Sequence, residues 1–446
     1  MYNLLIKQFS RSKTVWIAFV IITVLSAVSI CVGKQFLNQK NASIQKTILN
    51  QQKHLETQQR YHKDDIGLLS YYLKFSFINM VNPLAGISIG QSDLNSHIQS
   101  VGIVALEAQK HNTDLVNPLR LQVGNLDISF LIIFLFPLVI IALSFNIRSQ
   151  EVESGTWKMV SLQSKSTFKY LLTKFTLPLF FVFINLGLLF FGAKVVFKIP
   201  FSYHFLDIIF MSYLYLFFWF SICFLVILLK KTSNFNAIVL LSTWLLLVVF
   251  IPVLTNQYIT TKYPIDEAFN MVLKQRDAYH KKWDTNKKET LNRFYAHYPQ
   301  LRKYGYKTEG FSWLWYYAMQ QMGDDDSKAE RDALYYKIKK REQLSRKIAA
   351  FLPPLQLQLS LNDIAETSLT NHIKFLEATT KFHETIRLDL YPKIFENRHP
   401  DVVDLKKYKP EFFKTGIHFN LLKNALSLFA FSLFLIVLAV FKYFRS

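Results

Sequence analysis

Six apolar stretches constrain this chain more than anything else in it: residues 14–33, 128–147, 175–196, 206–229, 235–255 and 424–441, each dominated by Phe, Leu, Ile and Val. A helix needs about 20 such residues to cross a hydrocarbon layer of roughly 30 Å, and each stretch is close to that length. A chain of 446 residues that is 51% hydrophobic and 19% charged must segregate the two kinds of residue, and here Lys-rich polar sequence alternates with the apolar runs. The expected fold is an all-α membrane protein with about six transmembrane helices and two large, mainly helical ectodomains. The first run follows Lys7, Arg11 and Lys13 as a signal peptide would. It is too long for one, has no small-x-small cleavage site, and carries Ile30 before Cys31, so it reads as an uncleaved span.

Orientation follows from the basic residues in short loops and near span ends. With the N terminus in the cytoplasm, Lys7, Arg11 and Lys13, then Arg148, Lys158, Lys165, Lys169 and Lys174, then Lys230 and Lys231, and finally Lys442 and Arg445 lie inside. Only Lys194 and Lys198 flank the short external loop. The net charge of +21 is therefore accounted for by membrane topology and anionic lipid, and no nucleic-acid partner is expected. Both cysteines, Cys31 and Cys223, fall inside spans, so no disulfide framework holds the polar parts.

The resulting organisation is a cytoplasmic N terminus and first span at 1–33, a first ectodomain at 34–127, a four-span bundle at 128–255, a second ectodomain at 256–423, and a sixth span with a cytoplasmic C terminus at 424–446. In the first ectodomain Leu37, Ile44, Ile48 and Leu55 recur at helical spacing, which extends the first span outward as an amphipathic helix. That stripe suits either the protein's own ectodomain or a partner helix. In the second, helices are expected over 265–291, 327–352 and 360–388, with Pro353-Pro354 ending the middle one. The aromatic stretch Phe311, Trp313, Trp315, Tyr316 and Tyr317 suits a core, a belt on the membrane surface or a ligand platform. Asp324-Asp325-Asp326 reads as a solvated helix start.

The segment 148–174 joins the second and third spans on the cytoplasmic side and contains Glu151-Val152-Glu153-Ser154-Gly155-Thr156-Trp157-Lys158. Carboxylates at the start of a short polar helix favour its positive end and leave acceptors for basic groups on a partner. A short helix tied to spans at both ends transmits a rigid-body push. The Glu-x-Glu-x-Gly-Thr pattern at this location resembles the type-2 (ABC-2-type) permeases of ABC transporters. In that family it is a coupling element that docks on the ATPase, and the resemblance implies the role for Glu151, Glu153, Gly155, Thr156 and Lys158.

Residues 82–94 (Asn82-Pro83-Leu84-Ala85-Gly86 through Leu94) and 353–375, including Asn362-Asp363-Ile364-Ala365 and His372-Ile373-Lys374-Phe375, resemble a subfamily of these permeases with enlarged external domains and no characterised function. The pattern departs at Ala365-Glu366-Thr367, where a small Ala-Gly-Thr-like turn is expected. The resemblance implies an exporter subunit in a bacterial inner (cytoplasmic) membrane, paired with a second permease copy or paralogue as homodimer or heterodimer, and contacting membrane lipid. ATP and Mg would belong to cytoplasmic ABC ATPase subunits.

The chain has no phosphate-binding Gly-x-x-x-x-Gly-Lys-Ser/Thr loop, so no cofactor is expected on it and ATP hydrolysis is expected on a partner. No His-Glu-x-x-His or Cys-x-x-Cys spacing supports a metal, and no nucleophile or acid-base pair marks a catalytic centre. Two other classes remain: a membrane-anchored structural or sensory protein acting through its ectodomains, and a membrane-embedded enzyme.

Overall fold

The computed structural model describes residues 2–110, 125–265, 283–416 and 419–445. A short helix α1 (Tyr2–Ser10) leads into α2 (Lys13–Tyr61), which at 49 residues is about 73 Å long, more than twice the hydrocarbon thickness. After α3 (Ile66–Tyr72), β1 (Phe75–Asn79), β2 (Ile98–Val101) and α4 (Glu107–Lys110), the chain returns to the bundle as α5 (Ile128–Glu153). There follow α6 (Trp157–Gln163), α7 (Thr167–Phe197), α8 (Tyr203–Leu228) and α9 (Ser233–Lys262). A second polar segment holds α10 (Lys287–His297), α11 (Trp313–Asp326), α12 (Lys328–Ala349), α13 (Pro353–Ile364), α14 (Leu369–Phe395) and β3 (Glu411–Phe413), and α15 (Leu421–Arg445) closes the chain.

Among the described residues, α2, α5, α7, α8, α9 and α15 are long and apolar enough to cross a membrane, and the fold is that of an all-α membrane protein. The hub is α8: 83% of its apolar window is buried, against 11% for α9, so α8 is enclosed by protein while α9 turns most of its surface outward. Trp219, Tyr215, Phe220 and Cys223 of α8 are fully buried. Residues Leu131–Leu135 of α5 wind as a wider π turn just before Pro137, which has no N–H to give. The carbonyls of Ile133 and Phe134 accept instead from the Tyr215 hydroxyl (2.9 Å) and the Trp244 indole (3.1 Å), so α8 and α9 satisfy the broken turn of α5. A second π turn, Leu246–Phe250 in α9, likewise precedes a proline, Pro252.

The two polar segments fold onto each other. β1 pairs antiparallel with β2 and parallel with β3, so the first segment supplies the centre of a sheet whose edge comes from the second. Gln51 of α2, itself buried, accepts from the Ser76 N–H (2.6 Å) and donates to the Tyr408 carbonyl (2.8 Å), fixing the helix to both segments at once. Phe77 stacks on Phe375 and Phe382 across the same junction. Leu37 and Leu55 bury into the bundle core and the polar core respectively, so the amphipathic stripe of α2 packs against its own chain. Trp315, Tyr316 and Tyr317 also belong to the polar core, and the Tyr317 hydroxyl donates to the Gly67 carbonyl (2.9 Å).

Two expectations change, and a third falls mostly beyond what the structure describes. The expected helix 360–388 is two helices, because Pro353 and Pro354 open α13 at the first-turn positions that need no N–H, and the chain breaks at 365–367. Most of the expected helix 265–291 lies outside the described residues. The Asp324–Asp326 run ends a helix rather than starting one, and Asp324 is buried. Its carboxylate accepts from the N–H groups of Leu106 (2.7 Å) and Glu107 and pairs with buried Arg387 (2.9 Å). Burial raises that carboxyl above its ordinary range, and Arg387 and the N–H donors oppose the rise.

Candidate functional site

At the N-terminal end of the bundle, α5 turns over at residues 145–148 and continues to Glu153; Gly155 then takes a left-handed φ of 75° and α6 begins. Only glycine adopts that conformation without cost, and it lets the chain double back between two helices. The Ser166 hydroxyl caps α7 by accepting from the Lys169 N–H.

The structure brings Glu151 and Thr156 together with two residues the motif did not indicate, Tyr170 and Lys174. Glu151 Oε1 accepts from the Tyr170 hydroxyl (2.8 Å) and the Lys174 ammonium (2.6 Å), and Oε2 accepts from the Thr156 hydroxyl (2.9 Å). The expectation that this carboxylate stays free for a partner is corrected: it is buried and ion-paired within the chain. Glu153 takes a different span. Its oxygens accept from the N–H (2.7 Å) and hydroxyl (2.8 Å) of Ser233, the first residue of α9, where a carboxylate also meets the positive helix end. Two carboxylates one residue apart thus fasten the segment to α7 and to α9. The sequence signal for Lys174 was its place as the basic residue before the third span; nothing local pointed to Ser233, 80 residues away.

The segment is exposed at 152–156 and along α6, which has no buried residue. Met159 (64% exposed) and Leu162 (87%) stand three residues apart on one face, with Lys158 exposed beside Met159. Lys158 makes no ion pair among the described residues. Arg148 lies over the Trp157 ring at 5.1 Å and ties the root of α6 to α5.

At the opposite end of the bundle, the two stretches at 82–94 and 353–375 meet. The Ser88 hydroxyl donates to the Asn362 amide oxygen (2.7 Å), the Thr367 hydroxyl to the Ser88 carbonyl (2.9 Å), and the Gln91 N–H to the Thr367 carbonyl (3.2 Å). Gly33 of α2 and Gly86 lie so close that a Cβ on Gly33 would stand 2.2 Å from the Gly86 carbonyl oxygen. Helix α13 packs on α8 and α15, and its Leu357, Leu361 and Ile364 share the core of the spans. Glu366 holds a left-handed φ of 60° where a glycine-like turn was expected, with its carboxylate accepting from Asn82 (3.2 Å) and Thr415 (3.2 Å).

A cavity of about 30 Å³ beside this seam is lined by Lys40, Asn82, His97, Glu366 and Asn371 among others. Ser43 donates to the Lys40 carbonyl, so it accepts from His97 Nε2 (2.8 Å), while His97 Nδ1 accepts from the Lys40 ammonium (3.1 Å). Burial, then Lys40, pushes this ring down to about 4, and it is neutral near pH 7. Among the described residues no three His, Cys, Asp or Glu side chains converge to hold a metal ion.

Residues 268–412 match a family described as a domain of unknown function (DUF3526). The match takes in α13, the turn at Glu366 and α14, and leaves out the 148–174 segment. Neither the curated proteins nor the solved structures contain a match to this chain.

Proposed function

We propose that this chain is the permease subunit of an ATP-binding-cassette exporter. It pairs with a second copy or a paralogue, has both termini in the cytoplasm, and is driven by separate ATPase subunits that dock on the 148–174 segment. The observation that carries the reading is the fastening of that segment, through Glu151 to α7 and through Glu153 to α9. A push on α6 reaches two spans through charge-assisted bonds, which are stronger than neutral ones. Docking itself falls to the exposed Met159 and Leu162 with Lys158, since an apolar side chain left in the open on a polar loop suits the groove of a partner.

Co-expression of the chain with its cognate ATPase tests this. A stable complex is expected, with hydrolysis absent from the chain alone. The pair M159D and L162D should weaken association at least tenfold while leaving the chain inserted, because exposed substitutions change stability by only about 0.5 kcal/mol. A cysteine at Leu49 should label from outside intact cells, in a background lacking Cys31, and one at Leu162 should not. Hydrolysis by the chain alone, or unchanged association of the double variant, overturns the reading.

A further inference from the structure

A cavity of about 750 Å³ lies at the N-terminal end of the bundle, walled by α1, the start of α2, the end of α5 and the start of α7. One part is apolar, with Leu5, Val15, Leu143, Leu177 and Pro178. Another is basic, with Lys7, Arg11 and Lys174, and no carboxylate is among the lining residues. Lys7 and Arg11 are exposed and form no ion pair among the described residues. The wall α1 carries apolar residues on both sides: Leu4 and Leu5 line the cavity, while Ile6 (41% exposed) does not, and Trp16 and Ile17 of α2 are also exposed outside the cavity.

We infer that this cavity binds an anionic phospholipid, its phosphate among Lys7, Arg11 and Lys174 and the root of an acyl chain along Leu143, Leu177 and Pro178. The cavity joins two cations without a carboxylate partner among the described residues, Lys7 and Arg11, and a third, Lys174, that is paired with Glu151, to an apolar wall beside membrane-facing helices, and basic pockets between membrane helices take anionic headgroups. A free phosphate would satisfy the cations and leave the apolar wall unused; a zwitterionic lipid would bring a positive group against three others. The site also touches the coupling segment, because Lys174 lines the cavity and holds Glu151 at 2.6 Å. A phosphate drawn to Lys174 competes with that carboxylate, so occupancy loosens the bond that fastens the segment to α7. The binding itself is independent of the exporter reading and is measured without an ATPase.

The test is native mass spectrometry of the purified full chain in neutral detergent, titrated with phosphatidylglycerol, with phosphatidylcholine of the same acyl chains, and with inorganic phosphate. A saturable one-to-one adduct is expected with phosphatidylglycerol, at least tenfold tighter than with phosphatidylcholine, and none with phosphate. Basic residues near a membrane surface contribute on the order of fivefold each, so the exposed pair K7Q and R11Q should weaken the adduct about 25-fold. L143W, which fills the cavity, should remove it, and K442Q, a charge loss outside the cavity, should not. Lys442 precedes Tyr443, whose hydroxyl meets Thr167 of α7 (2.7 Å), so it is a control at the same end of the bundle. The inference is overturned if phosphatidylcholine binds as well as phosphatidylglycerol, which describes an ordinary lipid shell. It is equally overturned if phosphate alone binds, if K442Q matches the double variant, or if the double variant keeps the preference.

Discussion

Two carboxylates, Glu151 and Asp324, look alike in the sequence and are held in opposite ways. Asp324 accepts from two backbone N–H groups and from an arginine that is itself fixed, since Arg387 also donates to the carbonyls of Ile103 (2.9 Å) and Val104 (3.0 Å) and to Gln321. Glu151 is held by side chains alone, two from α7 and one from its own segment. Backbone donors cannot swing away, whereas Lys174 has a flexible four-carbon stem and a second place to go in the adjoining cavity. The difference separates a permanent join between two chain segments from a join that can be released. A domain assembled from segments hundreds of residues apart needs the first, and a mechanical linkage needs the second.

The largest expected effect is at Asp324. Asp324→Ala removes the acceptor for two N–H groups and leaves the Arg387 guanidinium buried without its carboxylate, a loss of about 3–5 kcal/mol. Thermal unfolding of the purified chain measures it, and limited proteolysis within the polar domain should rise in parallel. A change below about 1 kcal/mol would mean that the arginine is held by the carbonyls alone and that the two carboxylates do not differ as argued.

Glu151 comes next. Its pair with Lys174 is only partly shielded, at 11% and 16% side-chain exposure, so Glu151→Ala should cost about 2–3 kcal/mol, less than Asp324→Ala. Lys174→Ala and the double variant complete a cycle, and a coupling of at least about 1 kcal/mol is expected if the two act on each other. Additivity of the single losses would break the linkage between the segment and α7.

The contrast also explains what the sequence discloses. Spans are legible because solvent dictates them: a run of about 20 apolar residues has one favourable environment, and the stripe through Leu37, Ile44 and Leu55 extends the first span by the same logic. Partners far along the chain are not legible. The Phe77 strand meets Glu411, Asp324 meets Arg387, and Glu153 meets Ser233 only because the fold carries them together. A carboxylate in a polar stretch looks solvated until its distant donor is known, and for this reason the sequence presents Asp324 as solvated and Glu151 as free for a partner.

The smallest expected effect is at Glu366, where the seam meets the turn that breaks α13 from α14. Its left-handed backbone costs a side-chain-bearing residue about 1 kcal/mol, and glycine would remove that cost. Its carboxylate accepts from Asn82 at 3.2 Å and shares the single Thr415 proton, 3.2 Å away, with the nearer Asn371 Oδ1 (2.5 Å), so the two contacts together contribute roughly 1 kcal/mol. Two variants separate these terms. Glu366→Ala keeps the backbone cost and loses both contacts, so it should destabilise by about 1 kcal/mol. Glu366→Gly loses the same bonds and relieves the backbone, so it should lie within about 1 kcal/mol of the unaltered chain and above the alanine variant. Equal melting temperatures for the two variants would show that the left-handed turn carries no cost. A glycine variant clearly more stable than the unaltered chain would show that the carboxylate contributes little, leaving the seam to Ser88, Asn362 and Thr367.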